Sequence, residues 1–127
     1  MIPPSGIVAV GVGAALGAWL RWGLGAWLNE RGAALPYGTL AANLVGGYLV
    51  GIAVAAFSSR PEVPPEWRLF IVTGFLGGLT TFSTFSAESV GLMMRAEYGA
   101  AFIHSGAHLF GSLALTALGI ATWKVLA

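Results

Sequence analysis

The chain has 127 residues, 57% of them hydrophobic and only 9% charged, and its mean hydropathy is +0.81. Soluble domains carry about 25% charged residues, so this reads as a membrane protein with a single domain, residues 1–127, and no room for a soluble module. A net charge of +1 argues against a nucleic-acid partner, and the lack of Cys excludes disulfides, thiolate metal sites and cysteine nucleophiles.

A membrane helix needs about 20 predominantly apolar residues. Four segments qualify, roughly 5–28, 37–57, 67–94 and 99–126. The opening MIPPSG lacks the basic region of a signal peptide, so the first segment is expected to be a retained span. Breaker and charge signals separate the spans: Asn29-Glu30-Arg31-Gly32 with Pro36, Ser58-Ser59-Arg60-Pro61 with Pro64-Pro65, and Arg95-Ala96-Glu97. The loops are short, so neighbouring helices pack antiparallel. Trp22, Trp27, Tyr37 and Tyr98 are placed near one interface and Trp67 and Trp123 near the other, as an aromatic belt requires.

In the first span Gly13, Gly17 and Arg21 recur at spacing four and share one helix stripe. Small residues let helices approach closely in lipid, which puts Arg21 on the packed face. A charge at mid-helix costs at least about 2.5–3.5 kcal/mol. It needs a function or a partner, or it must snorkel to the headgroups beside Trp22 and Trp27. The second span repeats the pattern with Thr39, Asn43, Gly47 and Gly51. Asn43 is either interhelical glue or a donor to an anion.

The third span carries the densest polar signal. In TGFLGGLTTFSTFSAES, residues 73–89, seven of seventeen side chains are Ser or Thr, three are Gly and one is Glu88. A helix with Gly77 and Gly78 at membrane depth is easily interrupted. Interruption frees backbone groups that only protein, water or an ion can satisfy, and broken helices often mark the ion site of a transporter. Phe82 and Phe85 are neighbours three apart, set among Ser83, Thr84 and Ser86. Such rings usually pack, but the positive edge of a ring can also contact a small anion. Glu88 lies one turn beyond Thr84, as a protonated acid, a partner for Arg21 or a group in a wet vestibule.

The fourth span has a polar stripe at spacing four, His104, His108, Ser112 and Thr116. Two His are too few for a closed zinc site, so a hydrogen-bonding track for a moving ion suits them better. No Ser/His/Asp or paired-carboxylate arrangement suggests an enzyme, and the chain contains no Asp.

The run GFLGGLTTFSTFS, residues 74–86, resembles the signature of the Fluc (CrcB) fluoride channel family. The resemblance extends to the four spans, the Arg late in the first, AANLVGGYLVG at 41–51 and the fourth-span track. It implies an all-α membrane protein, an antiparallel dual-topology homodimer with two pores, whose third helix breaks mid-membrane. It further implies a structural, non-transported sodium ion at the dimer centre, held by the Gly77 and Thr80 carbonyls. Fluoride would pass Asn43, Phe82, Phe85, Ser83, Thr84, Glu88, His104, His108, Ser112 and Thr116, with Arg21 at the vestibule. His104 and His108 depart from the family pattern, which leads one to expect Tyr or Ser there. The expected setting is the bacterial inner membrane, where passive export of fluoride would relieve its toxicity.

Two other classes remain to be separated. A four-helix drug/proton exchanger needs a carboxylate in its first helix, where this chain has Arg21. A structural subunit leaves the polar third and fourth spans unexplained.

Overall fold

Proline sets where the first three spans begin. The computed structural model describes residues 2–30 and 33–127. Helix α1, Pro4–Leu28, has proline in its first turn, and α2, Tyr37–Ser59, starts after Pro36. Proline suits these positions because the first amides of a helix have no partner to lose. The third span, Pro65–Met94, is composite. It comprises α3, Pro65–Arg68, a π-helical stretch, Leu69–Leu76, a single turn α4, Gly77–Leu79, and then α5, Phe82–Met94. It ends at Ala96 in a left-handed turn with φ of 60°, and α6, Tyr98–Leu126, follows. All four expected spans are present among the described residues, and each helix is long and apolar enough to cross a membrane.

The ends of the spans sort into two sides. Ser5 Oγ donates to Glu66 Oε1 at 3.3 Å, which joins the start of α1 to the start of the third span. Trp123 Nε1 donates to Ser59 Oγ at 3.2 Å, and the Arg60 guanidinium lies 5.8 Å from the Trp123 ring. Both described chain ends and the second loop therefore share one side. By sequence, Arg60, Arg68 and Lys124 are expected near this side and Arg21, Arg31 and Arg95 near the other; Arg31 lies outside the described residues.

Two pairings organise the bundle, α1 against the third span and α2 against α6. Both depend on glycine. A Cβ on Gly13 or Gly17 would run into the Phe70 or Phe75 carbonyl, and one on Gly51 into the Thr116 carbonyl. Close backbone approach replaces the hydrophobic driving force that lipid removes. Thr116 Oγ1 adds a bond to the Gly47 carbonyl at 2.9 Å, and Tyr48 Oη one to Thr122 Oγ1 at 2.9 Å. The buried core is small, Ala42, Ala53, Leu76 and Leu79, and large apolar side chains such as Trp22, Phe102 and Phe110 face outward.

The break differs in detail from the sequence expectation. Gly77 is itself helical, with φ −63° and ψ −37°. The chain leaves the helix one turn later, where Thr80 and Thr81 are extended. Glycine at 78 serves packing: a Cβ there would strike the Ala14 carbonyl of α1. The threonines make the interruption, since their hydroxyls offer the backbone alternative partners.

Candidate functional site

The backbone hydrogen bonds of the break can be followed one by one. In a continuous helix the Thr81 N–H would bond the Gly77 carbonyl and the Thr84 N–H the Thr80 carbonyl. Here the Thr81 N–H donates to Asn43 Oδ1 at 2.8 Å, and the Thr84 N–H to Thr81 Oγ1 at 3.1 Å, as a helix N-cap. The Gly77 and Thr80 carbonyls thus lose their helical donors to side chains. The Gly78 carbonyl between them accepts from Arg21 Nε at 2.9 Å. Arg21 does lie on the packed glycine stripe, and its charge meets the partial negative charge of an interrupted helix end. It is not paired with Glu88.

Asn43 holds the break from α2. Its Nδ2 donates to the Thr81 carbonyl at 2.9 Å and also meets His108 Nδ1 at 2.9 Å. Of the two readings open for Asn43, these bonds are those of interhelical glue, toward the broken segment of the third span and toward α6.

Beside this clamp runs a groove of about 410 Å³ between α2, the third span and α6. Of the residues expected along an ion path, it is lined by Asn43, Phe82, Phe85, His108 and Ser112, and Gly77 and Thr80 line it as well. Phe82 and Phe85 meet edge to face, with centroids 5.5 Å apart and planes at 70°. The Phe85 ring lies over His108 at 4.5 Å and near His104 at 5.7 Å. Phe82 is 79% exposed, so one wall of the groove is open along the side of the chain.

A second polar chain enters from the first loop. Asn29 Oδ1 accepts from the Gly38 amide at 2.6 Å, and Asn29 Nδ2 donates to Thr39 Oγ1 at 3.2 Å. Thr39 Oγ1 in turn donates to Glu88 Oε2 at 2.7 Å. The other oxygen of Glu88 lies 3.3 Å from His104 Nε2, within ion-pair range but not aligned as a hydrogen bond. His104 is fully buried and His108 nearly so. Glu88, His104 and His108 each place a nitrogen or oxygen within 4.8 Å of the others, which supplies the third zinc-type ligand absent from the α6 pair alone.

The remaining expected path residues are placed differently. Ser83 is exposed, with its hydroxyl 3.4 Å from Thr81 Oγ1. Thr84 contributes its amide to the cap, and Thr116 turns its hydroxyl to the α2 backbone, away from the lining of the groove. Thr39, Thr81 and Asn29 were not among the expected site residues. Thr39 had a sequence signal, since it precedes Asn43 by one turn; Thr81 and Asn29 had none beyond lying at a break and in a loop.

A family model described as CrcB-like protein, Camphor Resistance (CrcB), matches residues 8–120. A protein of Cupriavidus pinatubonensis named fluoride-specific ion channel FluC is 60% identical over 124 residues, 98% of each chain. Proteins of the same name from Ralstonia pickettii and Bordetella pertussis are 62% and 59% identical over 120 and 123 residues, covering 94% and 97% of this chain and 94% of each relative. The chain belongs to the CrcB/FluC fluoride channel family.

Proposed function

We propose that the protein is a fluoride-selective channel of the bacterial inner membrane, through which fluoride leaves the cell passively and its toxicity is relieved. One observation carries this reading: Phe82 and Phe85 stand edge to face in the same groove as Asn43, His108 and Ser112, beside a broken helix. Fluoride is small and strongly hydrated, so a narrow path must replace its water with donors and positive ring edges. Chloride is larger and meets a tighter steric limit between the rings. Hydrogen fluoride enters cells as a neutral weak acid and ionises at the higher internal pH. The ion then runs out down its own gradient, and no energy-coupling module is required.

The working unit in this proposal is a homodimer of two antiparallel copies. The open side of the groove at Phe82 and the outward apolar surface of the third span call for a cover of lipid or protein. A second copy crossing at the break would enclose two paths. The diverted amides of Thr81 and Thr84 leave the Gly77 and Thr80 carbonyls without their helical donors, which suits a hard cation. Two chains would offer four such oxygens to one sodium ion on the twofold axis. That ion would neutralise the carbonyls and pin the crossing, without itself being transported. Arg21 would raise the local anion concentration near the break.

The test is growth. A bacterium stripped of its own fluoride exporter should regain growth in fluoride medium when it makes this chain. Equal sensitivity with and without the chain, at confirmed membrane expression, would refute the proposal.

A further inference from the structure

Asn43 commits both of its N–H donors within the protein. An amide side chain has one acceptor oxygen and a nitrogen with two hydrogens. The Thr81 N–H can only donate, and it faces Asn43 Oδ1. The Thr81 carbonyl can only accept, and it faces Nδ2. Two main-chain groups of fixed character therefore set the orientation of the amide, which is otherwise ambiguous. The second hydrogen on Nδ2 is directed at His108 Nδ1, 2.9 Å away. A ring nitrogen that accepts carries no proton. His108 is then a neutral imidazole with its proton on Nε2, because the hydrogen bond at one ring nitrogen decides the state of the other. That Nε2 is buried without a hydrogen-bond partner, on a ring that lines the groove and stacks on Phe85.

We propose that Asn43 is a positioning residue. It gives no hydrogen bond to the ion but holds His108 in the Nε2–H tautomer, and this N–H is the donor offered to fluoride. The proposal rests on the channel reading above and assigns the donor within it. The tautomer also decides between ions at the Glu88, His104 and His108 cluster. A metal on His108 Nε2 would need that proton removed while Nδ1 still accepts from Asn43, which makes an imidazolate. An anion needs the proton where it is.

The chain has only two histidines, so nitrogen-15 NMR of histidine-labelled protein in bilayers resolves both, and His108→Gln assigns the pair. At neutral pH the His108 spectrum should be that of a neutral ring protonated at Nε2, and this N–H signal should move when chloride is exchanged for fluoride. In Asn43→Asp the carboxylate still accepts from Thr81 but has no hydrogen for His108. The proton should then shift to Nδ1, and fluoride efflux from liposomes should fall about tenfold or more, as when one aimed donor is lost. A wild-type His108 protonated at Nδ1, or at both nitrogens, would overturn the proposal, and this measurement needs no variant to fold. So would an Asn43→Asp channel that loses efflux with His108 unchanged. A wild-type protein that conducts no fluoride would overturn the channel reading, and the donor role with it, whichever tautomer the spectrum reports.

Discussion

Replacing Gly78 by Ala should separate α1 from the break. Gly78 is helical, so alanine raises no backbone objection, and its effect is steric alone. The new Cβ would strike the Ala14 carbonyl and lie 3.0 Å from the Ala18 amide nitrogen and 3.1 Å from the Ala14 carbonyl carbon. These are backbone atoms, so no side chain can turn away and α1 must retreat as a whole. Overpacking of this kind costs about 1–3 kcal/mol. Retreat also pulls Arg21 from the Gly78 carbonyl, and a hydrogen bond to a charged group contributes about 1.5–3 kcal/mol. The expected loss is about 2.5–6 kcal/mol. Equilibrium unfolding in mixed detergent, followed by circular dichroism, measures it. Gly23→Ala is the control, since a Cβ there meets nothing within 4 Å; it should be neutral or slightly stabilising, by up to about 1 kcal/mol. A Gly78→Ala protein within about 1 kcal/mol of wild type, with normal fluoride flux, would refute the packing argument.

Three further outcomes are expected. Phe82→Ile or Phe85→Ile keeps bulk but removes the polarised ring edge; an edge contact is worth about 0.5–1.5 kcal/mol for the ring pair alone. Ion contact adds to that, so flux should drop about tenfold with the proposed dimer intact by size-exclusion chromatography, and normal flux in both variants would make the rings packing residues only. A crystal structure of the proposed dimer should show a cation between the two sets of Gly77 and Thr80 carbonyls, and tracer sodium should not accompany fluoride; a centre without cation density would remove the sodium from the account. The sequence places Arg60, Arg68 and Lys124 near one expected membrane side and Arg21, Arg31 and Arg95 near the other, a tie from which the positive-inside rule predicts no preferred orientation. Lys residues appended to one end should therefore abolish activity, and co-expression with an oppositely biased variant should restore it; full activity from one uniformly oriented variant would exclude antiparallel pairing.

The spans were legible because hydropathy and proline act locally: each helix starts and stops within about two residues of its expected bounds. The glycine stripes were legible for the same reason, and Arg21 followed them to the packed face. The partners of polar groups were not. Asn43 and Thr81 are 38 residues apart, and Thr39 and Glu88 are 49 apart. Nothing in either local pattern says which turn of one helix will face which turn of another. For the same reason the sequence leaves Glu88 open as a protonated acid, a partner of Arg21 or a vestibule group, whereas packing brings it to Thr39 and His104. Glycine at 77 and 78 suggested the position of the break because glycine weakens helices in general. In this fold glycine at 78 makes room for α1 while Thr80 and Thr81 do the breaking. Thr116 continues the spacing of the polar stripe, yet its hydroxyl bonds the α2 backbone, because periodicity fixes a face and not a partner.

The central claim is fluoride conduction, and the direct measurement is ion efflux from liposomes holding the purified protein, read with a fluoride electrode and, for chloride, a chloride electrode. Vesicles loaded with potassium fluoride should release it rapidly once an ionophore dissipates the charge, whereas vesicles loaded with potassium chloride should retain chloride. Release no faster than from protein-free vesicles, or chloride leaving as readily as fluoride, would contradict the account.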